Sequence, residues 1–380
     1  MSGMKIAKNC NEIAKKALAD ISFEDGGNIV VSPVSILMLL AILAEATKGK
    51  AHQEIMNLIA KGLSEKNFPK TIAKMQWWLA FTLIGQENFV CANALYVKES
   101  LKDSIVPEFE KKLANYGGKL FASENCARDI NKWVSKSTKG MIKKIIENPI
   151  DPLFIAALMN AAAFQAVWHR LYWDENVFEE KFNNADGTMS IVNMMKSKED
   201  FYVEDDFFKG FIKPYNSCGY SFMALLPKKK GKKAFIEALH NIDFVRLLKK
   251  GEFRIVHTKM PEFAYDYERK LDDLCKDCGI STLFSDDADL SPFCKEKIQI
   301  NEIFHKVHIE VDQEGTRAAA LSFEQTRGAG CPDDSRLKFV RLNRPFVYAI
   351  IHEETEIPVF VGTVGHIDSI ESLKKEDEDE

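Results

Sequence analysis

The sequence predicts a globular protein of mixed α+β class, because amphipathic helical segments alternate with short β-rich runs. The chain has 380 residues, of which 46% are hydrophobic, so it can bury a sizeable core. The formal net charge of −5 excludes a chain-wide basic field for nucleic acid or an anionic membrane. No linker rich in proline, glycine or serine divides the sequence, which favours a single domain over residues 1–367.

Two helices are predicted near the N-terminus. Residues 5–20 carry apolar side chains at helical spacing and indicate an amphipathic helix. The next run is apolar on every side as far as Ala46, which is typical of a buried helix. Serine is a favoured N-cap residue, so either Ser32 or Ser35 is expected to begin this second helix.

The β-rich runs extend to the C-terminus. The last two, residues 346–351 and 359–364, are separated by polar residues and predict a hairpin. Beyond them the chain ends in Glu-Asp-Glu-Asp-Glu, so residues 368–380 are expected to form an acidic, disordered tail. The internal β-rich runs are 89–97, 155–164, 222–226 and 253–260.

The motifs of common enzymes are missing from the sequence. It contains no Gly-x-Ser-x-Gly elbow, no P-loop, no dinucleotide fingerprint and no His-Glu-x-x-His. The pairs His305 with His308 and Cys275 with Cys278 each lack the further ligands that a tetrahedral metal site needs. We therefore expect no metal, no cofactor and no catalytic activity.

The N-terminal residues lack the basic-then-apolar pattern of a secretory leader, and no Asn-x-Ser/Thr acceptor is present. These two observations favour a cytoplasmic location, with secretion or leaderless export as the alternative. No apolar stretch is long enough for a transmembrane helix, so we expect no membrane partner.

The most informative segment begins at His305. A β-patterned run ends at Gly315, after which small residues share one face of an extended chain. Such a segment can enter an existing sheet because its inward side chains need almost no space. Residues 324–338 are rich in glycine, proline, aspartate and serine, which predicts a long exposed loop. The small residues on the shared face are Thr316, Ala318, Ala320 and Ser322.

Together with motifs elsewhere, this segment resembles the serpins, the serine-protease-inhibitor family. The resemblance covers nearly the whole chain, and its motifs occur in the family's order. It implies a serpin fold with three β-sheets, about nine helices and an exposed reactive-centre loop at about residues 315–338. The matching segments are 28–36, 131–140, 158–168, 186–195, 260–263, 288–291, 343–346 and 359–362.

The resemblance implies a suicide inhibitor of chymotrypsin-fold serine proteases, acting as a monomer. In the family, a protease forms a covalent acyl-enzyme with the loop, and the cleaved loop then inserts into sheet A. A non-inhibitory chaperone or carrier is one alternative, favoured by Leu321, Glu324 and the loop length. An inhibitor of cysteine proteases is another. The residues matching the family's hinge are Glu314, Gly315, Thr316, Ala318, Ala319, Ala320 and Ser322.

The family also has a polar cluster beneath the opening of sheet A, called the shutter. Ser32, Ser35, Asn160 and His305 match it, and Trp168 matches the tryptophan of the breach, where the loop enters the sheet. Simpler roles are an N-cap for Ser32, a hydrogen-bonded buried amide for Asn160 and core packing for Trp168.

An ion pair that the family often forms beside the hinge is not expected in this chain. Gln313 and Glu262 occupy the positions of its acid and its lysine.

The family's spacing from the hinge glycine places the cleaved bond at Ala329–Gly330. A small residue before the bond suits the shallow pocket of elastase-like proteases. Arg327–Gly328 is the alternative and suits a trypsin-like pocket. We favour Ala329.

A basic run lies between a strand signal and a helix signal. It is either a solvated loop or a patch for a polyanion or for nuclear import. The acidic residues 376–380 could compete for it. Its members are Lys228, Lys229, Lys230, Lys232 and Lys233.

Overall fold

The structure is a computed structural model, and the contacts between its residues divide the chain into two compact units. Each unit is assembled from three separate stretches of chain. The single domain expected over residues 1–367 stays a prediction. The first unit comprises residues 1–9, 32–163 and 266–308, and the second comprises 10–31, 164–265 and 309–380. The residues that the structure describes are 3–23, 26–60, 88–123, 126–146, 150–151, 153–216, 219–316 and 337–370.

Eight α-helices and sixteen strands lie within these described residues, which confirms the mixed α+β class. None of the described helices combines the length and the hydrophobicity needed to cross a bilayer. The helices are α1 (Gly3–Ala19), α2 (Pro33–Ala46), α3 (Gly49–Ile59), α4 (Pro107–Asn115), α5 (Cys126–Ser137), α6 (Lys232–His240), α7 (Phe244–Lys249) and α8 (Asp272–Asp277), with 3₁₀ turns at Glu99–Ser104, Asp174–Asn176 and Thr282–Phe284.

The strands include every β-rich run that the sequence predicted, with bounds shifted by a few residues at most. They are β1 (Ile29–Val31), β2 (Phe89–Val97), β3 (Gly118–Phe121), β4 (Ala156–Phe164), β5 (Ala166–Val167), β6 (Val177–Asn183), β7 (Met189–Glu204), β8 (Phe208–Pro214), β9 (Tyr220–Pro227), β10 (Glu252–Pro261), β11 (Phe263–Lys270), β12 (Ile300–Val311), β13 (Gly315–Thr316), β14 (Lys338–Arg341), β15 (Phe346–His352) and β16 (Ile357–Val364).

In the first unit, α2 shows why its sequence forms a buried helix. Its residues are apolar all round, and nearly all of them are buried. The hydroxyl of Ser32 accepts a hydrogen bond from the backbone N–H of Ser35 at 3.2 Å, so Ser32 is the N-cap. Pro33 occupies the first turn, where a missing N–H has no cost. The helix predicted through Ala46 is confirmed, and of the two candidate serines the structure selects Ser32.

The core of this unit lies between β4 and α5. On β4, small residues of one face pack beneath Ile130 and Val134 of α5. The first unit also contains the strand order β3-β2-β4-β12.

The second unit contains a nine-stranded sheet in the order β1-β16-β15-β9-β8-β7-β10-β14, with β6 paired to β7. The predicted hairpin is its β15–β16 pair, which is antiparallel. Three sheets were expected, whereas unbroken pairing of the described strands gives two. The reason is the 16-residue length of β7, which pairs with β6 through residues 189–195, with β10 through residues 194–202 and with β8 through residues 201–204.

A close approach between strands in the second unit lies at Gly362 of β16. A methyl group there would overlap the carbonyl oxygen of Ile29 and the hydroxyl of Tyr348. That hydroxyl belongs to a hydrogen-bonded group in which Tyr265 Oη lies 2.7 Å from Tyr348 Oη and donates to the carbonyl of Thr363 at 2.9 Å. Only glycine fits this crossing.

We therefore expect Gly362→Ala to destabilise the protein by about 1–3 kcal/mol, the usual cost of overpacking a rigid core. Urea unfolding followed by far-UV circular dichroism measures the change. Gly49→Asn is the control, because Gly49 has φ of +61° with nothing within 4 Å of a Cβ, and asparagine tolerates this conformation. Equal unfolding midpoints for the two variants would contradict the prediction.

Candidate functional site

β4 and β12 are direct neighbours in the first unit. They pair in parallel, with Leu158 opposite Ile303 and Ala163 opposite His308. Every side chain of β4 is buried. We call this pairing of residues 156–163 with residues 300–308 the seam.

A buried polar cluster crosses the seam. Asn160 on β4 and His305 on β12 stand opposite each other in the register. The amide oxygen of Asn160 accepts from His305 Nδ1 at 2.7 Å and from Ser35 Oγ at 2.8 Å. Its amide nitrogen donates to Asn93 Oδ1 at 2.8 Å and to Cys91 Sγ at 3.3 Å. The amide of Asn160 therefore has partners on both its oxygen and its nitrogen.

The contacts of His305 assign the tautomer of its ring. The backbone N–H of Ser32 donates to Nε2 at 3.1 Å, so Nε2 is an acceptor and the proton lies on Nδ1, facing Asn160. Burial, aided by the positive charge of Arg269, lowers the pKa of His305 to about 3. The imidazole is therefore neutral at physiological pH, and the seam is closed by hydrogen bonds between neutral groups.

The four residues assigned to the shutter by resemblance thus lie together around the seam. Ser32 also caps α2, so the simpler role proposed for it is present as well. Sequence reasoning missed Asn93 and Cys91, which complete the cluster. Their signal was weak, because both lie in an ordinary β-rich run.

In the second unit, the first hinge residues already form a strand. Gly315 and Thr316 (β13) pair antiparallel with Val167 and Ala166 of β5, and Thr316 pairs with Val311 at the end of β12. Thr316 is fully buried. A Cβ on Gly315 would overlap the carbonyl oxygen of Ala166, so glycine is required where the hinge passes β5.

Asp312 holds the turn that leads into β13. Its carboxylate accepts from the backbone N–H groups of Glu314 and Gly315, both at 2.8 Å. Its own N–H donates to the carbonyl of Gly315 at 3.0 Å. The carbonyl of Glu314 accepts from the backbone N–H of Trp168 at 2.9 Å. The start of the hinge is therefore fixed by backbone hydrogen bonds on both sides.

Trp168 follows β5 directly and packs against this turn. Its indole N–H donates to the carbonyl of Asp312 at 2.9 Å. The ring is almost parallel to that of Tyr215, with centroids 4.4 Å apart, and the Tyr215 hydroxyl is hydrogen-bonded to Thr316 Oγ1. The tryptophan that resemblance placed at the breach thus contacts both the turn and, through Tyr215, the hinge.

A buried ion pair lies beneath Trp168, and no local sequence pattern predicts it. Lys213 Nζ donates to Glu199 Oε1 at 2.8 Å and to the carbonyl of Arg170 at 2.8 Å. Both side chains are almost completely buried. The ammonium lies 4.2 Å from the ring centroid of Tyr172 and 5.4 Å from that of Trp168. Burial lowers the pKa of Lys213, and the negative charge of Glu199 opposes that shift.

The two residues that replace the family's ion pair are joined by a backbone contact instead. The Glu262 carboxylate accepts from the backbone N–H of Gln313 and from Asn193 Nδ2 at 2.8 Å. Burial raises the pKa of Glu262, and the nearby charge of Asp312 raises it further. The contact ties β10 to the turn before the hinge without a cation.

Several predicted site residues lie outside the described residues. They are the hinge residues Ala318, Ala319, Ala320 and Ser322, and both candidate bonds, Arg327–Gly328 and Ala329–Gly330. Their roles stay predictions.

Comparisons with known proteins agree with this architecture. A model of the serpin (serine protease inhibitor) family matches residues 8–367. Iripin-5 from Ixodes ricinus is 28% identical over 96% of this chain and 95% of its own. Alpha-1-antiproteinase 2 from Equus caballus is 26% identical over 95% of this chain and 86% of its own. The chain belongs to the serpin family.

A solved structure gives the same result for the fold. The thermophilic serpin Tengpin in its native state superposes with a TM-score of 0.83 at 30% identity, covering 95% of this chain and 94% of Tengpin. Tengpin in its latent state superposes less well, with a TM-score of 0.76. The arrangement of this chain is thus more similar to the native state.

The neutral His305 makes stability depend on pH. An unfolded histidine has a pKa of about 6.5, so between pH 6.5 and 3 the unfolded chain binds the extra proton and the folded chain does not. The free energy of unfolding should therefore fall as the pH decreases through this range. We expect His305→Gln to weaken that dependence, whatever its effect at pH 7.

Urea unfolding at pH 7, 6 and 5 measures the dependence. His240→Gln, at the exposed end of α6, is the matched control and should keep the pH slope of the wild type. The same slope in His305→Gln and in the wild type would contradict the prediction.

Proposed function

We propose that this serpin is a suicide inhibitor of chymotrypsin-fold serine proteases, with residues 315–338 as its reactive-centre loop. One observation carries the proposal: the seam is closed, while Gly315 and Thr316 are already paired as the first residues of an additional strand. The better match to native than to latent Tengpin supports it. As an inhibitor the protein is consumed by its target and is not a catalyst.

The direction of the strands supplies a driving force for insertion. β4 and β12 are parallel, whereas β13 is antiparallel to both β12 and β5. A loop that continued from β13 between β4 and β12 would replace one parallel ladder with two antiparallel ladders. Antiparallel pairing is slightly more stable per residue, and the backbone groups of the solvated loop would gain partners on both sides.

The side chains of the hinge suit this path. Thr316 already occupies a fully buried position. The next residues on the same face, Ala318 and Ala320, are small, so they would enter the seam without overpacking it. Insertion must break the hydrogen bond between His305 Nδ1 and Asn160 Oδ1. A bond between neutral groups contributes only about 1 kcal/mol, so it delays insertion without preventing it.

The covalent step follows from the chemistry of the target. The protease serine Oγ attacks the carbonyl carbon of Ala329, the C–N bond to Gly330 breaks, and the new amine of Gly330 takes a proton from the protease histidine. The acyl group of Ala329 stays on the serine as an ester. Insertion then has to move this ester away from the catalytic residues before water hydrolyses it.

Cleavage products test the position of the bond. After incubation with pancreatic elastase or trypsin, we expect a complex with elastase that survives denaturing electrophoresis, and a released peptide beginning at Gly330. A complex with trypsin and a peptide beginning at Gly328 would assign the bond to Arg327. Cleavage by both proteases without any complex would contradict inhibition of this protease class and favour the carrier or chaperone alternative.

The hinge gives a second test. Ala318→Arg places a charge on the face of the loop that Thr316 begins, and that charge would be buried only on insertion; burial of an unpaired charge costs several kcal/mol, so insertion should be slower than hydrolysis. We expect the ratio of complex to cleaved product to fall by about tenfold or more. Arg317→Ala is the control, since alternation directs residue 317 to the opposite face. If Ala318→Arg formed as much complex as Arg317→Ala, the insertion mechanism would be excluded.

A further inference from the structure

A cavity of about 390 Å³ lies in the second unit, beside the start of α6. One wall is the loop that contains most of the basic run, from Lys229 to Lys232. Phe23 and Phe235 contribute an aromatic wall, with ring centroids 5.7 Å apart in an edge-to-face arrangement. The remaining lining residues are Asn183, Asn184, Ala185, Asn343, Arg344 and Pro345.

The charged residues that line the cavity all carry positive charge: Lys229, Lys230, Lys232 and Arg344. Within the part of the chain that the structure describes, no carboxylate forms an ion pair with any of these four. Lys228 differs, because its ammonium lies 2.6 Å from Glu204 Oε1 and it does not line the cavity. The cavity therefore concentrates positive charge that its described surroundings do not neutralise.

Arg344 is the least exposed of these cations. It is half-buried, its guanidinium donates to the carbonyl of Pro227, and burial lowers its pKa. A buried charge without an opposite charge is unfavourable, and an anion in the cavity would relieve that cost.

Backbone donors add to the positive potential. α6 begins at the cavity, and its N-cap, Gly231, provides no side-chain hydrogen bond to the first turn. The positive end of the helix therefore faces the region of the lysines. Lys232 Nζ lies 5.7 Å from the ring centroid of Phe23, so this ammonium is held against the aromatic wall.

We propose that this cavity binds a compact anion with several negative charges, of the oligophosphate class. Its volume lies within the range of about 300–1,000 Å³ that is usual for small-molecule sites. Its cations come from two separate segments, residues 229–232 and residue 344, so a ligand with two or more anionic groups can contact both at once.

Residues 376–380 carry negative charges, as the proposed ligand does, so the experiment needs a control for their binding to the cavity. Two cavity residues contact the segment that precedes these acidic residues in the chain. The backbone N–H of Ala185 donates to the carbonyl of Gly365 at 2.7 Å, and Asn184 Oδ1 accepts from the N–H of Ile367 at 3.1 Å. Residues 376–380 follow only a few positions later, and each extended residue spans up to about 3.5 Å. Their carboxylates are within reach as competitors.

The test is calorimetric titration of the full chain with inorganic tripolyphosphate at low salt. It is run with the natural sequence and with a full-length variant in which the five acidic residues 376–380 are replaced by their amides. In each background, Lys230→Gln with Lys232→Gln removes two cavity cations. The matched control, Lys228→Gln with Lys233→Gln, removes the same charge from the same run outside the cavity.

We expect saturable binding in at least one background. The cavity pair should weaken it by about tenfold or more, because charge-assisted hydrogen bonds to the anion would be lost, whereas the control pair should weaken it by less than about threefold. Melting curves without ligand establish that all variants are folded. Absence of saturable binding in both backgrounds would overturn the proposal. Equal weakening by the two pairs would also overturn it, because it would show diffuse attraction to the basic run and not binding in the cavity.

Discussion

The direct parallel pairing of β4 with β12 is the constraint on which the other features of the structure depend. A parallel ladder between two strands is slightly less stable per residue than an antiparallel one. An antiparallel strand placed between β4 and β12 would therefore make better hydrogen bonds with both of them. In the proposed mechanism the native arrangement therefore lasts only while the third strand is kept out. The buried polar cluster and the packing of α5 on β4 both hold the two strands together.

The polar cluster consists of uncharged groups, which suits a seam that stays closed but has to open in the proposed mechanism. An ion pair across the seam would cost several kcal/mol of desolvation and, once parted, would leave buried charges without partners. Asn160 and His305 are both uncharged, and the hydrogen bond from Ser32 fixes the imidazole tautomer that faces the amide. Such groups can exchange one set of hydrogen bonds for another, as the proposed opening of the seam requires.

Much of this arrangement follows from local sequence, and the remainder does not. The apolar run after Ser32, the alternation from residue 305 and the hairpin near the C-terminus each leave a periodic signal, and each is present in the structure. The ion pair of Lys213 and Glu199 leaves none, because the two residues lie on different strands and each resembles a solvated surface charge when read alone. The same applies to Asp312, whose turn contacts Trp168, a residue more than a hundred positions away in the sequence. The connection between sheets also leaves no local signal, since only the pairing of β7 shows that one strand serves two sets of neighbours.

The hinge shows how insertion can start without a separate nucleation step. Ordering the first residues of a strand costs backbone entropy of about 1–2 kcal/mol per residue before many hydrogen bonds form. Gly315 and Thr316 are already ordered in the native state, because Asp312, β5 and the Tyr215 hydroxyl hold them in place. In the proposed mechanism each further residue would extend an existing strand, so opening the seam, and not finding the register, would limit the rate of insertion. Gly315 fixes that register, because only a residue without a side chain passes the carbonyl of Ala166.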